Sequence, residues 1–406
     1  MKRYLRTIRV GVFLTVRSIT RGSIGTTVMT VFMMAMIFMN LIFLTAIING
    51  LTNTAQKQII NTLTGHVLVE APAGELYMPR ANYVYQQLLD VPGVQNISAR
   101  TNFSAEITIS GEQGSYRGVA IDPAQEAMVT TVAEHIVSGR YLKNDDTNKL
   151  ILGNQVAGDK NNDVEMQAYS LKGAQVGDWV NLQFSNGRSQ RFEVVGIFDT
   201  DFVQADNRFF ISQQEFFALF KEYKNHASEF AVKITPTADV NTVADDIKAL
   251  PLKIKTRTWK ETAGIVDSFT SSFDMVNVIV SFAGLLVAGI TIFIVMYIDV
   301  INRKRQIGIL RAIGITENSI ALSYLMRALL YAFFGVILGM LIFKFAIIPL
   351  FLQHPLKLPV GQVSLMIAYS LMYVRALALF VVAFLGSYIP IQRVLRMHII
   401  EAIWGK

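Results

Sequence analysis

The sequence predicts an α-helical membrane protein with four transmembrane helices and a large α+β extracytoplasmic domain between helices 1 and 2. Three observations predict it. The 406 residues are 52% hydrophobic and 17% charged, with a mean hydropathy of +0.39. The apolar excess sits in near-continuous runs over 26–49, 276–298, 320–352 and 363–389, whereas 51–272 has the composition of a water-soluble domain. Basic residues cluster on one side of these runs. Together these exclude a cytosolic enzyme, a disordered chain and a bundle made of spans alone.

Residues 1–25 form a basic tail. In it Arg3, Arg6, Arg9 and Arg17 alternate with Leu5, Ile8, Val12, Phe13 and Val16 at roughly helical spacing. The pattern fits an amphipathic helix on the inner leaflet or a plain topogenic tail. The first span, 26–50, contains 24 consecutive uncharged residues. At about 1.5 Å per residue they cover about 36 Å, enough for a hydrocarbon core of roughly 30 Å. The run is too long for a signal peptide and no small-x-small site follows, so it reads as an uncleaved anchor.

The other spans lie within 273–406, at about 275–299, 320–348 and 363–389. Pro349 and Pro390 are expected at span ends, where a missing N–H does least harm. Charge bias orients the chain. The N-terminal tail, the 299–319 loop and the C-terminal tail carry thirteen basic groups against three acids, Asp299, Glu317 and Glu401. Both termini and that loop are expected in the cytoplasm, with 51–272 outside. Residues 51–272 hold 20 basic and 26 acidic side chains, so the formal +7 reflects topology. No nucleic-acid partner is expected, because the basic residues flank spans and form no groove.

Within 51–272 two segments share a layout. One is a β-prone run at 66–69, a helix-like run at 82–89 and a β-prone run at 94–100; the other is 230–234, 240–250 and 253–258. Pro92-Gly93 and Pro251 stop the two helices. Two strand–helix–strand units make a split α/β sandwich. Between them, 104–215 reads as a β-rich insertion, with strands near 105–110, 116–121, 149–152, 178–184, 190–198 and 208–211. Asn186-Gly187 fits a hairpin turn, and 153–175 reads as a mobile loop.

Catalytic signatures are missing. There is no cysteine, no G-x-x-x-x-G-K-[ST], no H-E-x-x-H and no G-x-S-x-G. Asp199-Thr200-Asp201 with Asp206 lacks the glycine and closing glutamate of an EF-hand and reads as a solvated turn. No enzyme activity of its own, no metal and no cofactor are expected.

The 302–316 loop does carry a signature. Its residues run Asn302, Arg303, Lys304, Arg305, Gln306, Ile307, Gly308, Ile309, Leu310, Arg311, Ala312, Ile313, Gly314, Ile315 and Thr316. It resembles the cytoplasmic loop of FtsX/MacB-type ABC transporter permeases. Gly335 and Gly339 are similar to that family's small residues in span three, and Ser387-Tyr388-Ile389-Pro390 with Glu401-Ala402-Ile403 resembles its C-terminal ending. Ile48-Asn49-Gly50-Leu51, Gly65-His66-Val67 and Ala120-Ile121-Asp122-Pro123 resemble the LolC/LolE lipoprotein-releasing branch.

The resemblance implies a MacB-like periplasmic core and an FtsX-like permease domain in a bacterial inner membrane. It implies a separate ABC ATPase subunit and a second copy or related permease as partners, with membrane lipids and a periplasmic acceptor or adaptor as further ones. The activity it implies is mechanotransmission that releases lipoproteins or other amphiphiles. MacB-type drug or peptide efflux and FtsX-like regulation of a cell-wall hydrolase remain the alternatives. Ile307, Leu310 and Ile313 recur at i, i+3 and i+6, which suggests one apolar face for an ATPase groove. Arg303, Lys304 and Arg305 sit near the membrane, and Gly308, Ala312 and Gly314 complete the coupling set.

Two charges fall inside spans. Arg327 stands where MacB-type members often have Glu, and Arg375 lies about 22 Å along span four from Pro390 at about 1.5 Å per residue. Each is either an interfacial arginine or a charge paired within the bundle or with a second permease. Asp274 is the candidate partner for Arg375.

Overall fold

The computed structural model describes residues 2–20, 24–158, 170–262 and 264–396, with side chains over 7–18, 24–158, 170–262 and 275–396. The chain divides into two units. A membrane unit takes residues up to Gly50, Thr270–Pro355 and the chain from Ser364 on. An external unit takes Leu51–Phe269 together with Leu356–Val363.

The basic tail is helix α1 (Lys2–Thr20). It packs Gly11 and Thr15 against the third span: the Thr15 hydroxyl bonds Ser323 O at 3.0 Å. Its exposed side carries Ile8, Val12, Phe13 and Val16, which supports the amphipathic reading of the tail. Helix α2 (Ile24–Gln58) continues as a π turn (Ile59–Thr64), so the expected first span is the start of a 41-residue helix.

The external unit begins with β1 (Val67–Glu70), β2 (Met78–Pro79), α3 (Ala81–Leu89) and β3 (Val94–Ile109). Next come β4 (Glu112–Ile121), α4 (Pro123–Val129), β5 (Ile136–Gly139), β6 (Lys149–Gly153) and α5 (Asn154–Ala157). Of the loop expected over 153–175, residues 159–169 lie outside the described residues. The chain continues through β7 (Trp179–Phe184), β8 (Ser189–Phe198), α6 (Val203–Asp206), β9 (Arg208–Ser212) and α7 (Gln213–Leu219). Last are β10 (His226–Ala227), β11 (Glu229–Ile234), α8 (Val240–Lys248), β12 (Lys255–Thr258) and α9 (Trp259–Thr262).

The two strand–helix–strand segments interleave, as expected, in a sheet of order β12-β1-β11-β3. Helices α3 and α8 bury Val84, Leu88, Val243 and Ile247 against Val69, Ile97 and Val232. The β-rich region is not a separate insertion starting at 104. Strand β3 is one continuous 16-residue strand that serves both parts. Pairings β3–β4, β4–β9, β9–β6, β6–β8, β8–β7 and β7–β3 close a six-stranded barrel. Closure removes open edges and encloses Ile107, Leu152, Leu182, Phe192 and Phe209. Asn186-Gly187 makes the β7–β8 turn, with Gly187 at φ +82°.

The membrane unit resumes with α10 (Gly264–Asn302), α11 (Lys304–Ala312) and α12 (Glu317–Ile342). A π turn (Phe343–Ile347) joins α12 to α13 (Ile348–Gln353). Strands β13 (Leu356–Leu358) and β14 (Gly361–Val363) form a hairpin, and α14 (Tyr369–Leu395) closes the bundle. Gly335 and Gly339 let α12 approach α2. A Cβ at 335 would stand 2.4 Å from Met34 Cβ, and one at 339 3.0 Å from Ala35 O.

Two expectations about the spans are corrected. The prolines do not end helices. Pro349 sits in the first turn of α13, directly after the π turn, whose wider backbone accommodates the missing N–H and the ring. Pro390 lies inside α14, which runs on to Leu395. Span four also starts six residues later than 363, because 361–363 pairs in the hairpin and Met366 N–H bonds Ala46 O at 3.1 Å in extended chain.

The Asp199–Asp206 turn is not solvated throughout. Asp206 is buried and accepts bonds from Thr200 N (2.9 Å) and Thr200 Oγ1 (2.8 Å). Burial, with Asp199 beside it, pushes its carboxyl up to about 7. The hairpin packs here. Val203 N–H bonds Pro359 O at 3.1 Å, and Gln362 Nε2 bonds Asp201 Oδ2 at 2.9 Å.

Candidate functional site

The signature loop folds as a rigid short helix. Arg303 breaks from α10 at φ −106° and caps α11. At the other end Gly314, at φ +93°, donates to Arg311 O (3.0 Å), and Ile315 N–H reaches Leu310 O (3.0 Å). This is a Schellman stop, which needs a residue tolerant of positive φ at Gly314. Arg311 pairs with Glu317 at 2.5 Å, tying the stop to the first turn of α12.

The apolar face lies elsewhere than the i, i+3, i+6 count suggests. Ile307 is 2% exposed and Leu310 packs beside it against the bundle core. Gly308 is buried too. The exposed face carries Arg305, Ile309, Ala312 and Ile313, spaced i, i+4, i+7 and i+8. Ile309 is 46% and Ile313 70% exposed. Nine residues make two and a half turns, so one short apolar set can seal the helix to its own bundle while another faces out. Arg303 and Lys304 are half-buried.

Beneath α11 lies a charged cluster. Asp299, on the last turn of α10, pairs with Arg303 at 3.1 Å and with Arg327 of α12. Arg327 is 3% exposed; its Nη1 donates to Ser18 Oγ at 2.7 Å, and its guanidinium stands 4.8 Å from the Tyr324 ring centre. Arg303 Nη1 donates to the same Ser18 Oγ at 3.1 Å. One carboxylate and one hydroxyl thus join α1, α10, α11 and α12. Arg327 is therefore paired inside the bundle. Arg375 is half-buried on the flank of the packed face of α14 and has no ion pair among the described residues. The side chain of its candidate partner, Asp274, lies outside the described residues.

A second arginine cluster holds the end of the α2 extension in the external unit. Thr62 O accepts from Arg208 Nη2 at 2.7 Å, Leu63 O accepts from Arg100 Nη1, and Asn61 O accepts from Thr131 N–H at 2.8 Å. Three terminal carbonyls of a helix are thereby satisfied, two of them by cations at the negative end of its dipole. Arg100 grips Glu126 through two bonds (2.9 and 2.6 Å) and touches Glu229 at 3.4 Å. Burial opposes the charge on Arg100, but the two glutamates outweigh it and raise its pKa. Glu126 is likewise penalised by burial and held below its usual value by Arg100, Ser98 and Thr130. Burial, with Arg100 and Arg117 nearby, pushes Arg208 down to about 9, which leaves it charged at neutral pH.

The model of the MacB-like periplasmic core domain matches residues 27–250, and that of the FtsX-like permease C-terminal domain matches 278–399. The chain belongs to the FtsX/MacB-type permease family. It is similar to an uncharacterized ABC transporter permease of Methanocaldococcus jannaschii, 27% identical over 152 residues. That match spans 35% of this permease and 40% of the relative. Similar solved structures include the periplasmic region of MacB from Actinobacillus actinomycetemcomitans, at 11% identity and a TM-score of 0.36, covering 50% of this chain and 92% of that one. The extracellular domain of the noncanonic ABC-type transporter YknZ from Gram-positive bacteria is another, at 14% identity and 0.33, covering 45% and 89%. With both family models matched and four helices long and apolar enough to cross a membrane, the permease is a multi-pass membrane protein with an extracytoplasmic α+β domain.

Asp299, Ser18 and Ile309 escaped the sequence reading. Asp299 stands four residues before Arg303 as the acid at the end of span two, which signals a counter-ion for a buried arginine. Ile309 was visible in the i, i+4, i+8 spacing from Arg305 to Ile313.

Proposed function

We propose that the chain is the membrane subunit of an ABC transporter whose separate ATPase docks on α11. Arg305, Ile309, Ala312 and Ile313 form the docking face, and Ile307, Gly308 and Leu310 seat the helix on the bundle. Arg303 and Arg311–Glu317 lock its two ends. The observation that carries this reading is a helix closed at both ends that leaves two isoleucines in the open. A push on such a helix is delivered whole to Asp299, and through it to α10, α12 and α1. In the external unit Arg100 and Arg208 hold the end of the α2 extension, so a displacement of that helix would move the sheet with it.

In this proposal the termini and α11 are cytoplasmic, the membrane is the bacterial inner membrane, and two permease copies or two related permeases work together. The cargo is a lipoprotein or another amphiphile. The resemblance at 48–51 and 120–123 to lipoprotein-releasing permeases supports that choice. Within it Asp122 caps α4, the helix that delivers Glu126 to Arg100.

Ile313→Asp and Ile309→Asp put a carboxylate on the docking face. Each should leave thermal unfolding unchanged and weaken ATPase capture in pull-downs by more than tenfold, since desolvating an unpaired carboxylate costs over ~1.4 kcal/mol. Leu310→Asp should lower the unfolding temperature, because Leu310 packs inward. Full ATPase binding by both isoleucine variants would overturn the docking face.

A further inference from the structure

The arginines beneath α11 border a cavity that the coupling role does not use. It measures about 260 Å³ and is lined by Arg17, Ser18, Arg303, Gln306, Tyr324 and Arg327, with aliphatic side chains such as Leu14 and Ile320 filling the rest. No carboxylate is among the described residues that line it. Asp299 faces the neighbouring cavity instead, and it is shared between Arg303 and Arg327. Among the described residues two guanidinium charges therefore meet one carboxylate, and Arg17 stands at the rim. Arg327 is almost wholly buried, yet its Nε has no hydrogen-bond acceptor among the described residues. A buried arginine with an open donor, in a cluster that holds more guanidinium than carboxylate among the described residues, calls for an anion.

We propose that this cavity binds the phosphate of an anionic phospholipid headgroup. Three features favour a lipid over a free phosphate. Leu14, Ile307, Leu310 and Ile320 give the lining an aliphatic side, which suits a glycerol backbone. The helix that supplies Arg17 and Ser18 turns Ile8, Val12, Phe13 and Val16 outward, a face that acyl chains would cover. Arg327 meets Asp299 on the last turn of α10, at the end of the bundle next to α11, where a cytoplasmic-leaflet headgroup would sit. Basic cavities between spans on the cytoplasmic side recognise headgroups by this chemistry. The proposal rests on the cytoplasmic placement of α1 and α11. A lipid seated there would join α1 to α11 and α12 and make coupling depend on membrane composition.

The test uses the full chain, extracted and placed in nanodiscs of phosphatidylcholine with or without phosphatidylglycerol. Retained lipid is counted by native mass spectrometry, and the unfolding temperature is measured in parallel. Phosphatidylglycerol should be retained preferentially and should raise the unfolding temperature. Arg17→Gln should lower retention about fivefold. Gln306→Glu, which sets a carboxylate in the lining while keeping its size, should lower it at least as much. Equal retention of the two lipids, or unchanged retention in Gln306→Glu, would overturn the proposal. Inorganic phosphate that reproduced the whole thermal shift would overturn the lipid assignment in favour of a soluble anion. Both leaflets of a nanodisc carry the lipid, so the result does not depend on orientation. Labelling of a cysteine introduced at Asn318 in intact cells tests orientation by itself.

Discussion

The two buried arginine clusters solve the same problem in opposite ways. In the external unit Arg100 and Arg208 face Glu126, Glu229 and helix carbonyls. Arg100 and Glu126 share a bidentate bond, and Ser98 and Thr130 bond the same carboxylate. The two buried arginines meet two glutamates, with exposed Arg117 reaching Glu229 from outside at 3.5 Å, and the Arg100–Glu126 pair is closed. In the membrane unit Arg303 and Arg327 share Asp299 and one serine hydroxyl, with a cavity on either side. Charges do not balance, and the cluster is open. A closed cluster makes a joint that holds one geometry, because breaking any bond leaves a buried charge unpaired. An open cluster can exchange partners at lower cost, which suits a place where helices shift against one another.

The largest expected effect breaks the closed side. Glu126→Ala strands Arg100 beneath the sheet and should cost about 3–5 kcal/mol. In thermal unfolding of the full chain this appears as a fall of about 10 °C, at roughly 2–4 °C per kcal/mol for a domain of this size. The contribution of Glu126 also depends on pH. Its folded pKa lies below the unfolded value of about 4.5, so its stabilisation is full above that value and is lost as pH falls through the folded pKa.

Asp299→Asn breaks the open side. Arg303 and Arg327 keep Ser18, and Arg327 keeps the ring of Tyr324, so the cost should be smaller, about 1–2 kcal/mol by the same unfolding assay. A loss equal to that of Glu126→Ala would erase the distinction between the two clusters.

Asp206 sharpens the comparison, as a buried acid without a cation. Its folded pKa, about 7, exceeds the unfolded value of 3.8. The folded state therefore binds more protons between these values, and the stability contributed by this group falls as pH rises from about 4 to 7. Asp206→Asn should flatten that slope, and an unchanged slope would place the titration elsewhere. The smallest effect is expected at Arg375. With one half-buried, unpaired side chain to remove, Arg375→Leu should change stability by no more than about 0.5 kcal/mol. A larger loss would mean that Asp274 or a partner copy supplies its counter-ion.

Four spans, the external α+β domain and the two strand–helix–strand units were legible in the sequence, because each depends on local signals. Uncharged runs, basic flanks, Gly and Pro stops and alternating strands act within a few residues of themselves. The helical spacing of apolar residues within the 302–316 loop was legible for the same reason. Its inward and outward faces were not, since both carry isoleucines. Only the packing of Ile307 against the bundle decides that Ile309 and Ile313 face out. Local rules also misplaced Pro349 and Pro390. Each was expected to end a helix, yet a π turn and the surrounding bundle carry the helix through.

The sequence by itself determined which four runs are long and apolar enough to cross a membrane, which segments flank them with charge, and which stretches alternate as strands. The tertiary structure decided the rest. It closed β3, β4, β9, β6, β8 and β7 into a barrel, brought Glu126 to Arg100 and Arg208 to the helix end at Thr62, and set Asp299 between Arg303 and Arg327. These are long-range pairings of charges and strand edges. Their energy comes from desolvation and geometry at the contact, and neither is encoded in the spacing of residues along the chain.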